Sequence, residues 1–190
     1  DIYTYTATEN GTEVVISIAV AQNGYATRTL TYTLKLWGAA GTTILGDADS
    51  DAINAATENN IVVNGDLTVD KAITLASGKT VTVKGDMALK NTIAGAGSFV
   101  VEGTTTMENG SVVNAALTTK GLAFAKDATV TVESGRTLTM TGDSISLVGN
   151  VTVEKAGGII NATNATLALN GYTLTNNATI NVKETKAGST

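Results

Sequence analysis

Cysteine and histidine are both missing from the 190 residues. Without cysteine there is no disulfide framework, thiolate nucleophile or thiolate metal site. Without histidine the commonest general base and metal ligand are gone, and the Ser-His-Asp, Cys-His and zinc-hydrolase mechanisms go with them. Basic charge is scarce: 12 Lys and Arg against 17 Asp and Glu leave a net charge of -5, no electrostatic footprint for nucleic acid or anionic lipid. No apolar run approaches the roughly 18 residues of a membrane-spanning helix. No basic segment followed by an apolar one opens the chain either, so any secretory leader is expected to have been removed. Charged residues are only 15% of the total and aromatics 4%. What fills the space is threonine, the commonest residue of the chain, with 20 glycines and a hydrophobic fraction of 43%. Threonine belongs with the β-branched strand formers, and this much apolar residue supports a core. The composition reads as all-β.

A repeat organises the chain. Ser77-Gly-Lys-Thr-Val-Thr-Val-Lys-Gly-Asp86 returns, in unbroken register, as Ser134-Gly-Arg-Thr-Leu-Thr-Met-Thr-Gly-Asp143. Within that period lies a shorter one. Pairs of the form apolar-x-apolar follow one another closely: Ile61/Val63, Leu67/Val69, Ile73/Leu75, Val81/Val83, Met87/Leu89, Phe99/Val101, then Val130/Val132, Leu138/Met140, Ile145/Leu147, Val151/Val153, Leu167/Leu169, Tyr172/Leu174 and Ile180/Val182. In an extended strand such a pair faces one way and the residue between, often Thr (68, 74, 82, 131, 139, 152), faces the other. Asn64-Gly65, Ser77-Gly78, Lys84-Gly85, Ser134-Gly135, Thr141-Gly142 and Asn170-Gly171 supply corners where Gly or Asn tolerates positive φ. Three short strands and three corners make one coil, so the interval from Ser77 to Ser134 is three coils. The spacing predicts a single-stranded parallel β-helix over 61–182, with about six coils of roughly 18–20 residues each. Uneven corner lengths favour right-handed winding. A stack of antiparallel hairpins is the competing arrangement, but strands this short bury too little in isolated hairpins.

Residues 1–37 alternate with period two through Tyr3/Tyr5/Ala7, Val14 to Val20 and Leu30 to Leu36, with turn signals at Glu9-Asn10-Gly11 and Gln22-Asn23-Gly24. That predicts an antiparallel meander. It is the tail of a truncated domain, a cover for the solenoid end, or a sheet that a neighbouring chain completes. Residues 38–60 read as a linker and a short capping helix, Ser50 to Asn60, with Asp49 or Ser50 as N-cap. Residues 183–190 read as a flexible tail.

Candidate sites are few. Asp47, Asp49, Asp51 and Glu58 resemble an EF-hand or dockerin-type calcium loop, with acids at positions 1, 3, 5 and 12, but position 6, where the loop requires Gly, is Ala52. The plainer reading is an acidic helix start. Asp86 and Asp143 share a corner, yet three rungs, about 14 Å, separate them, beyond the roughly 5–9.5 Å of a glycosidase carboxylate pair. Asp66 is expected to join no cluster with them. Lys79 and Arg136 read as solvated turn charges. Thr80/Thr82 and Thr137/Thr139 suggest a threonine array, broken between by Ser98, Val100, Thr118 and Thr119. Asn10, Asn161, Asn164 and Asn177 match the N-glycosylation acceptor pattern, which a chain so rich in Asn and Thr produces by chance.

Two resemblances add to this. Gln22-Asn-Gly-Tyr-Ala-Thr-Arg-Thr-Leu-Thr-Tyr-Thr-Leu-Lys-Leu36 resembles the last hairpin of bacterial immunoglobulin-like surface domains. Gly78-Lys-Thr-Val-Thr-Val83 and Leu169-Asn-Gly-Tyr-Thr-Leu-Thr175 resemble the repetitive β-helix regions of large bacterial surface-layer and adhesin proteins. That second likeness implies a secreted, cell-surface, non-enzymatic structural role: a rod-like segment of a surface layer, fibre or adhesin. Expected partners are copies of the chain itself or other surface components, with glycans as a further option and no nucleic acid. The alternative functions are a carbohydrate- or host-binding adhesin module, for which Phe99, Phe124 and Tyr172, all assigned to the core, offer little aromatic surface, and a β-helix polysaccharide lyase or hydrolase. No cofactor is expected beyond the calcium candidate.

Overall fold

A very short strand is stable only if something pairs with it on both edges. The chain solves this by winding, so that each strand pairs in parallel with those one turn below and above. The computed structural model describes residues 12–20, 28–36, 41–142, 145–154, 158–163 and 166–183. The strands β1 (Thr12–Val20) and β2 (Arg28–Leu36) form an antiparallel two-stranded sheet, Thr12 opposite Leu36 and Val20 opposite Arg28. The meander's expected first strand, through Tyr3 and Tyr5, lies outside the described residues.

The solenoid starts at β3 (Thr42–Leu45) and β4 (Ala48–Asp49), followed by helix α1 (Ser50–Ala55). The second coil is β5 (Asn60–Val63), β6 (Leu67–Val69) and β7 (Ile73–Leu75); the third opens with β8 (Thr80–Val83) and β9 (Met87–Leu89). Two long strands, β10 (Thr92–Met107) and β11 (Val112–Phe124), bend through the corners and serve all three faces in turn. Shorter strands then resume: β12 (Thr129–Val132), β13 (Thr137–Met140), β14 (Ile145–Ser146), β15 (Val151–Glu154), β16 (Ile159–Thr163), β17 (Leu167–Ala168), β18 (Leu174–Asn176) and β19 (Thr179–Lys183).

On the first face the register runs Thr42 to Asn60, Thr80, Ser98 and Ala116, and then Leu117 to Leu138, Ile160 and Ile180, in steps of unequal length. The second face carries β4, β6, β9, the ends of β10 and β11, β14 and β17. The third carries β7, the starts of β10 and β11, β12, β15 and β18. This is a β-solenoid of about seven turns. Thr80 and Thr137, at the heads of the two copies of the repeat, stand three rungs apart on one face, as an interval of three coils requires. The turn beyond the expected six comes from β3 and β4, which pair with β5 and β6.

The interior confirms the pair reading through Val153: each apolar pair from Ile61/Val63 to Val151/Val153 is 3% exposed or less. Between residues 103 and 128 the pattern is obscured because two interior positions are threonines. Thr105 and Thr119 are fully buried; Thr105 Oγ1 donates to Thr119 Oγ1 at 2.9 Å, which donates to the Gly121 carbonyl at 2.7 Å. The two hydroxyls satisfy each other across one rung, which makes their burial tolerable. Thr119 is therefore interior and no member of an outward array. Ser111 Oγ, also buried, has no such partner.

The last coil departs from expectation. Leu167, Leu174 and Ile180 are half-buried, while Leu169 and Tyr172 are 44% and 41% exposed. Asn170 and Gly171 both take positive φ, 53° and 82°, and Tyr172 N–H donates to the Leu169 carbonyl at 2.9 Å. That tight turn carries Tyr172 outside, so it is not a core residue.

The helix ends at Ala55, short of the expected Asn60, because the chain must be extended again by Asn60 to supply β5. It occupies the third-face position of the first coil. Ser50 Oγ donates to the Lys71 carbonyl at 2.9 Å and accepts from its amide at 3.1 Å, and Asn54 Nδ2 donates to the Ala72 carbonyl at 3.1 Å. Polar helix side chains thus meet the backbone just ahead of β7, where no strand lies below.

Glycine at the corners answers two different needs. Gly78 and Gly135 take positive φ of 83° and 74° in matching tight turns. Gly85 does not. A Cβ there would stand 2.2 Å from Asp66 Oδ1 and 2.7 Å from the Gly65 carbonyl oxygen, so the side chain is excluded by the coil below. At Gly142 the nearest atom would be Lys120 Cγ at 3.6 Å. Gly85→Ala should therefore cost about 2–3 kcal/mol by overpacking, while Gly142→Ala should stay within about 1 kcal/mol of the parent. Urea unfolding of the two variants measures the contrast.

Candidate functional site

The four acidic residues of the calcium-loop candidate have separate surroundings. Asp47 Oδ1 accepts the Asp66 amide at 2.9 Å. Asp49 is the N-cap of α1 and accepts the Ala52 amide at 2.9 Å. Asp51, in the first helical turn, pairs with Lys71 Nζ at 2.5 Å, and Glu58 lies half-buried beside Gly41. Among the described residues no three acidic side chains gather so as to hold a metal ion. The spacing that resembles a calcium loop is here the spacing of a corner, a cap and a first turn.

The corner between the first and second faces holds a column that residue-by-residue reading missed. Asp47, Asp66 and Asp86 stand on successive rungs. Each carboxylate accepts the amide one residue after the glycine above it: Asp47 from Asp66, Asp66 from Asp86 at 2.8 Å, Asp86 from Thr104 at 2.7 Å. Beside them the glycine amides climb in step, Gly65 to the Gly46 carbonyl at 3.3 Å, Gly85 to Gly65 at 3.0 Å and Gly103 to Gly85 at 3.1 Å. Asp66 thus neighbours Asp86, contrary to expectation. One rung, about 4.8 Å, lies inside the separation at which two carboxylates can share a reaction, so distance does not dispose of this pair as it does of Asp86 and Asp143. What distinguishes it is that each carboxylate already accepts a backbone amide. Asp143 lies outside the described residues. The signal for the column is in the sequence: Gly-Asp at 46, 65 and 85, one coil apart.

Higher in the solenoid the device moves to the corner between the second and third faces. Asn109 Oδ1 accepts the Thr129 amide at 2.9 Å, Asp127 the Asn150 amide at 3.0 Å, and Asn150 the Thr173 amide at 3.0 Å. Two expected solvated cations also reach down one coil. Lys79 Nζ donates to the Ala56 carbonyl at 2.9 Å, just past the end of α1, and Arg136 Nε donates to Asn114 Oδ1 at 3.0 Å.

Beside the helix, the Ser50 hydroxyl has one proton for two acceptors, the Lys71 carbonyl and the Asp70 carboxylate, and its hydrogen bond holds the Asp70 pKa below the ordinary 3.8. The hydrogen bond and charge of Asp51 raise Lys71 above the ordinary 10.5.

One surface depression has the form of a binding groove. On the outer side of the third face Thr131, Glu133, Glu154 and Asn177 line a shallow space of about 420 Å³. Thr131 and Glu154 are register partners on β12 and β15. Among the described residues the lining offers polar groups (two carboxylates, a hydroxyl and a carboxamide) and no aromatic ring to stack on a sugar. Asn177 is the one glycosylation-pattern asparagine exposed here; Asn161 lies in β16 and accepts from Asn181 Nδ2 at 2.9 Å, and Asn10 and Asn164 fall outside the described residues. No protein-family profile matches the chain, nor does any curated protein or solved structure.

Two outcomes follow from this geometry. Asp66→Ala should lower stability by about 1–2 kcal/mol through the unpaired Asp86 amide, whereas Asp66→Asn, which keeps an acceptor, should stay within about 0.5 kcal/mol; chemical denaturation separates them. The helix contacts should also depend on pH at both extremes. Asp70, with its folded pKa lowered, contributes above pH 3.8 and loses that contribution as the pH falls through the folded value. Lys71, with its folded pKa raised, contributes fully below pH 10.5 and loses it as the pH climbs through the folded value. The melting-temperature gap between parent and Ser50→Ala should shrink in acid, and that between parent and Asp51→Asn should shrink in strong base.

Proposed function

We propose that this chain is a non-enzymatic, extracellular structural protein, a rod-like segment of a surface layer, fibre or adhesin. The observation that carries the reading is the continuity of the stack. One core of fully buried side chains runs from Ile53 to Ala162. Corner side chains link rung to rung on Asp47, Asp66 and Asp86 and again on Asn109, Asp127 and Asn150. A segment built this way resists bending, because deforming one rung strains its neighbours' backbone pairing. Asp47, Asp66 and Asp86 each accept a backbone amide in that linkage. Surface localisation rests on the resemblance of the repeat strings to bacterial surface proteins.

The second reading, a glycan- or host-binding adhesin module, draws on the groove of Glu133 and Glu154. A glycan array and an assay on acidic polysaccharides separate the readings. The structural role predicts no retention, no chain cleavage, and small-angle scattering from an elongated particle whose solenoid is about 34 Å long, seven rungs at ~4.8 Å. Retention that Glu154→Gln abolishes would move the assignment to the adhesin. Depolymerisation lost in Glu133→Gln or Glu154→Gln would make the chain an enzyme.

A further inference from the structure

We infer that the outward side of the first face is an interface, and that it packs against the same face of a second copy of this chain, the two solenoids lying side by side and antiparallel. The inference rests on the proposed rod-like role and names its partner.

On six successive rungs, from β3 to β13, the first face turns two columns of side chains outward. Register sets Ile44, Val62, Thr82, Val100, Thr118 and Thr139 in one of them, and the other runs beside it from Thr42 to Thr137. Neither column contains a charged residue, and no position in either is buried. Every member of the first column is β-branched, so a γ-methyl group recurs at each rung on a stiff side chain. The third face, by contrast, carries Glu133 and Glu154. Sheets whose strands all run parallel are usually covered on both sides, and here the core covers only one. A flat face of methyl and hydroxyl groups suits a second sheet packed about 10 Å away, with the two sets of side chains interdigitating.

The charges lie along the two flanks, and they select both the partner and its direction. On the flank that follows the face, Lys84, Glu102 and Lys120 stand on consecutive rungs, alternating in sign, and Lys84 already pairs with Glu102. On the flank that precedes it stand Lys79 and Arg136. A two-fold axis across the rods, between the rungs of β8 and β10, sets Lys84 against Glu102 of the second copy and Glu102 against its Lys84, which closes a ring of four alternating charges. The same axis carries Arg136 of the second copy toward Gly41, beside which Glu58 lies. It superposes all six uncharged rungs, Ile44 facing Thr139 and Thr82 facing Val100. A shift of one rung either way sets Lys84 or Glu102 against itself, and parallel rods set Lys84 against Lys79, so like charges oppose those arrangements. The paired stretch is about 29 Å long and about 13 Å across, roughly 400 Å² per copy and half of what a standard interface buries. The contact is therefore weak and concentration-dependent.

The absence of cysteine makes a thiol test clean. Ile44→Cys and Thr139→Cys change outward positions at opposite ends of the paired stretch, and unchanged melting temperatures check that both fold. Each is treated with a short bismaleimide, alone and mixed in equal amounts, over a concentration series. Antiparallel packing brings position 44 of one copy to position 139 of the other, whereas like positions stand five rungs, about 24 Å, apart. The expected result is a covalent dimer in the mixture, rising with concentration, and monomer from either variant alone. Adding Val100→Lys to both variants, which buries a charge at the centre of the contact, should cut the dimer yield about tenfold with the melting temperature unchanged. An undiminished yield in that background would overturn the first face as the site. A dimer from either single variant alone would overturn the antiparallel arrangement in favour of parallel packing, and monomer throughout would overturn association altogether. Each of these failures leaves the rod-like reading to the scattering of the dilute monomer and the glycan assays, which do not depend on self-association.

Discussion

Everything in this solenoid depends on holding successive coils in one register. A slip of one residue between rungs would turn every inward pair outward, since side chains alternate along a strand. Strands this short offer too few backbone hydrogen bonds to prevent that alone. The corners do the rest. An Asp or Asn at a corner of each of six successive coils accepts an amide of the coil above, and the geometry closes only when the two corners are aligned. At Gly65, Gly85 and Gly103 the fit is so close that a Cβ would stand 1.9, 2.2 and 2.3 Å from the carboxylate oxygen beneath. Register is thus written into pairs of residues one coil apart, Gly-Asp above Gly-Asp, and not into hydrophobicity, which is nearly the same at every rung.

This explains the division of labour along the chain. In the lower coils the corner device lies between the first and second faces; from β10 onward it moves to the next corner, where Asn109, Asp127 and Asn150 take over. The hand-over coincides with a part of the core that uses hydroxyls. Thr105 and Thr119 sit on adjacent coils at the interior positions elsewhere held by Leu, Met and Val, and their mutual hydrogen bond supplies a polar tie inside the core.

Much of the fold was legible because its logic is local and repeated. The pair spacing gave the coil length, the echo of Ser77–Asp86 at Ser134–Asp143 gave the count between its copies, and Asp49 could be named among the candidate caps. Three things resisted. Residues 103–128 hid because the apolar-x-apolar test fails when the interior residue is Thr105 or Thr119. β3 and β4 hid because Thr43 and Ala48 are too weakly apolar to declare strands, and their place is decided by pairing with β5 and β6. The acidic column hid because it is a property of stacking: Asp47 looked like a metal ligand and Asp66 like an isolated turn former until their corners were superposed. Tyr172 misled in the opposite direction, an aromatic residue in an apolar pair that the Asn170-Gly171 turn carries to the surface. Sequence periodicity reports which side chains share a column only when the coil length is constant; here it differs from coil to coil, so that Thr42 to Asn60 is a shorter step than Leu138 to Ile160.

The asymmetry of the two ends is the last consequence of the same constraint. A ladder of parallel rungs has no natural stopping point, because each coil offers the next the donors and acceptors it has itself used. At the start of the solenoid the ladder is modified on the third face, where α1 replaces a strand and Ser50 and Asn54 take up backbone groups at Lys71 and Ala72. At the end no such substitution is found among the described residues, and the apolar columns run out half-covered. Interior apolar-pair positions with a described coil on both sides are buried from Ile61 to Val153, and in the first coil Ile53 of α1 is buried as well. The weaker burial of Leu174 and Ile180 goes with a weaker apolar pattern, since the inward column of Val130 and Val153 ends at Asn176. The last described coil thus keeps the register of those beneath it while its inward positions become less apolar.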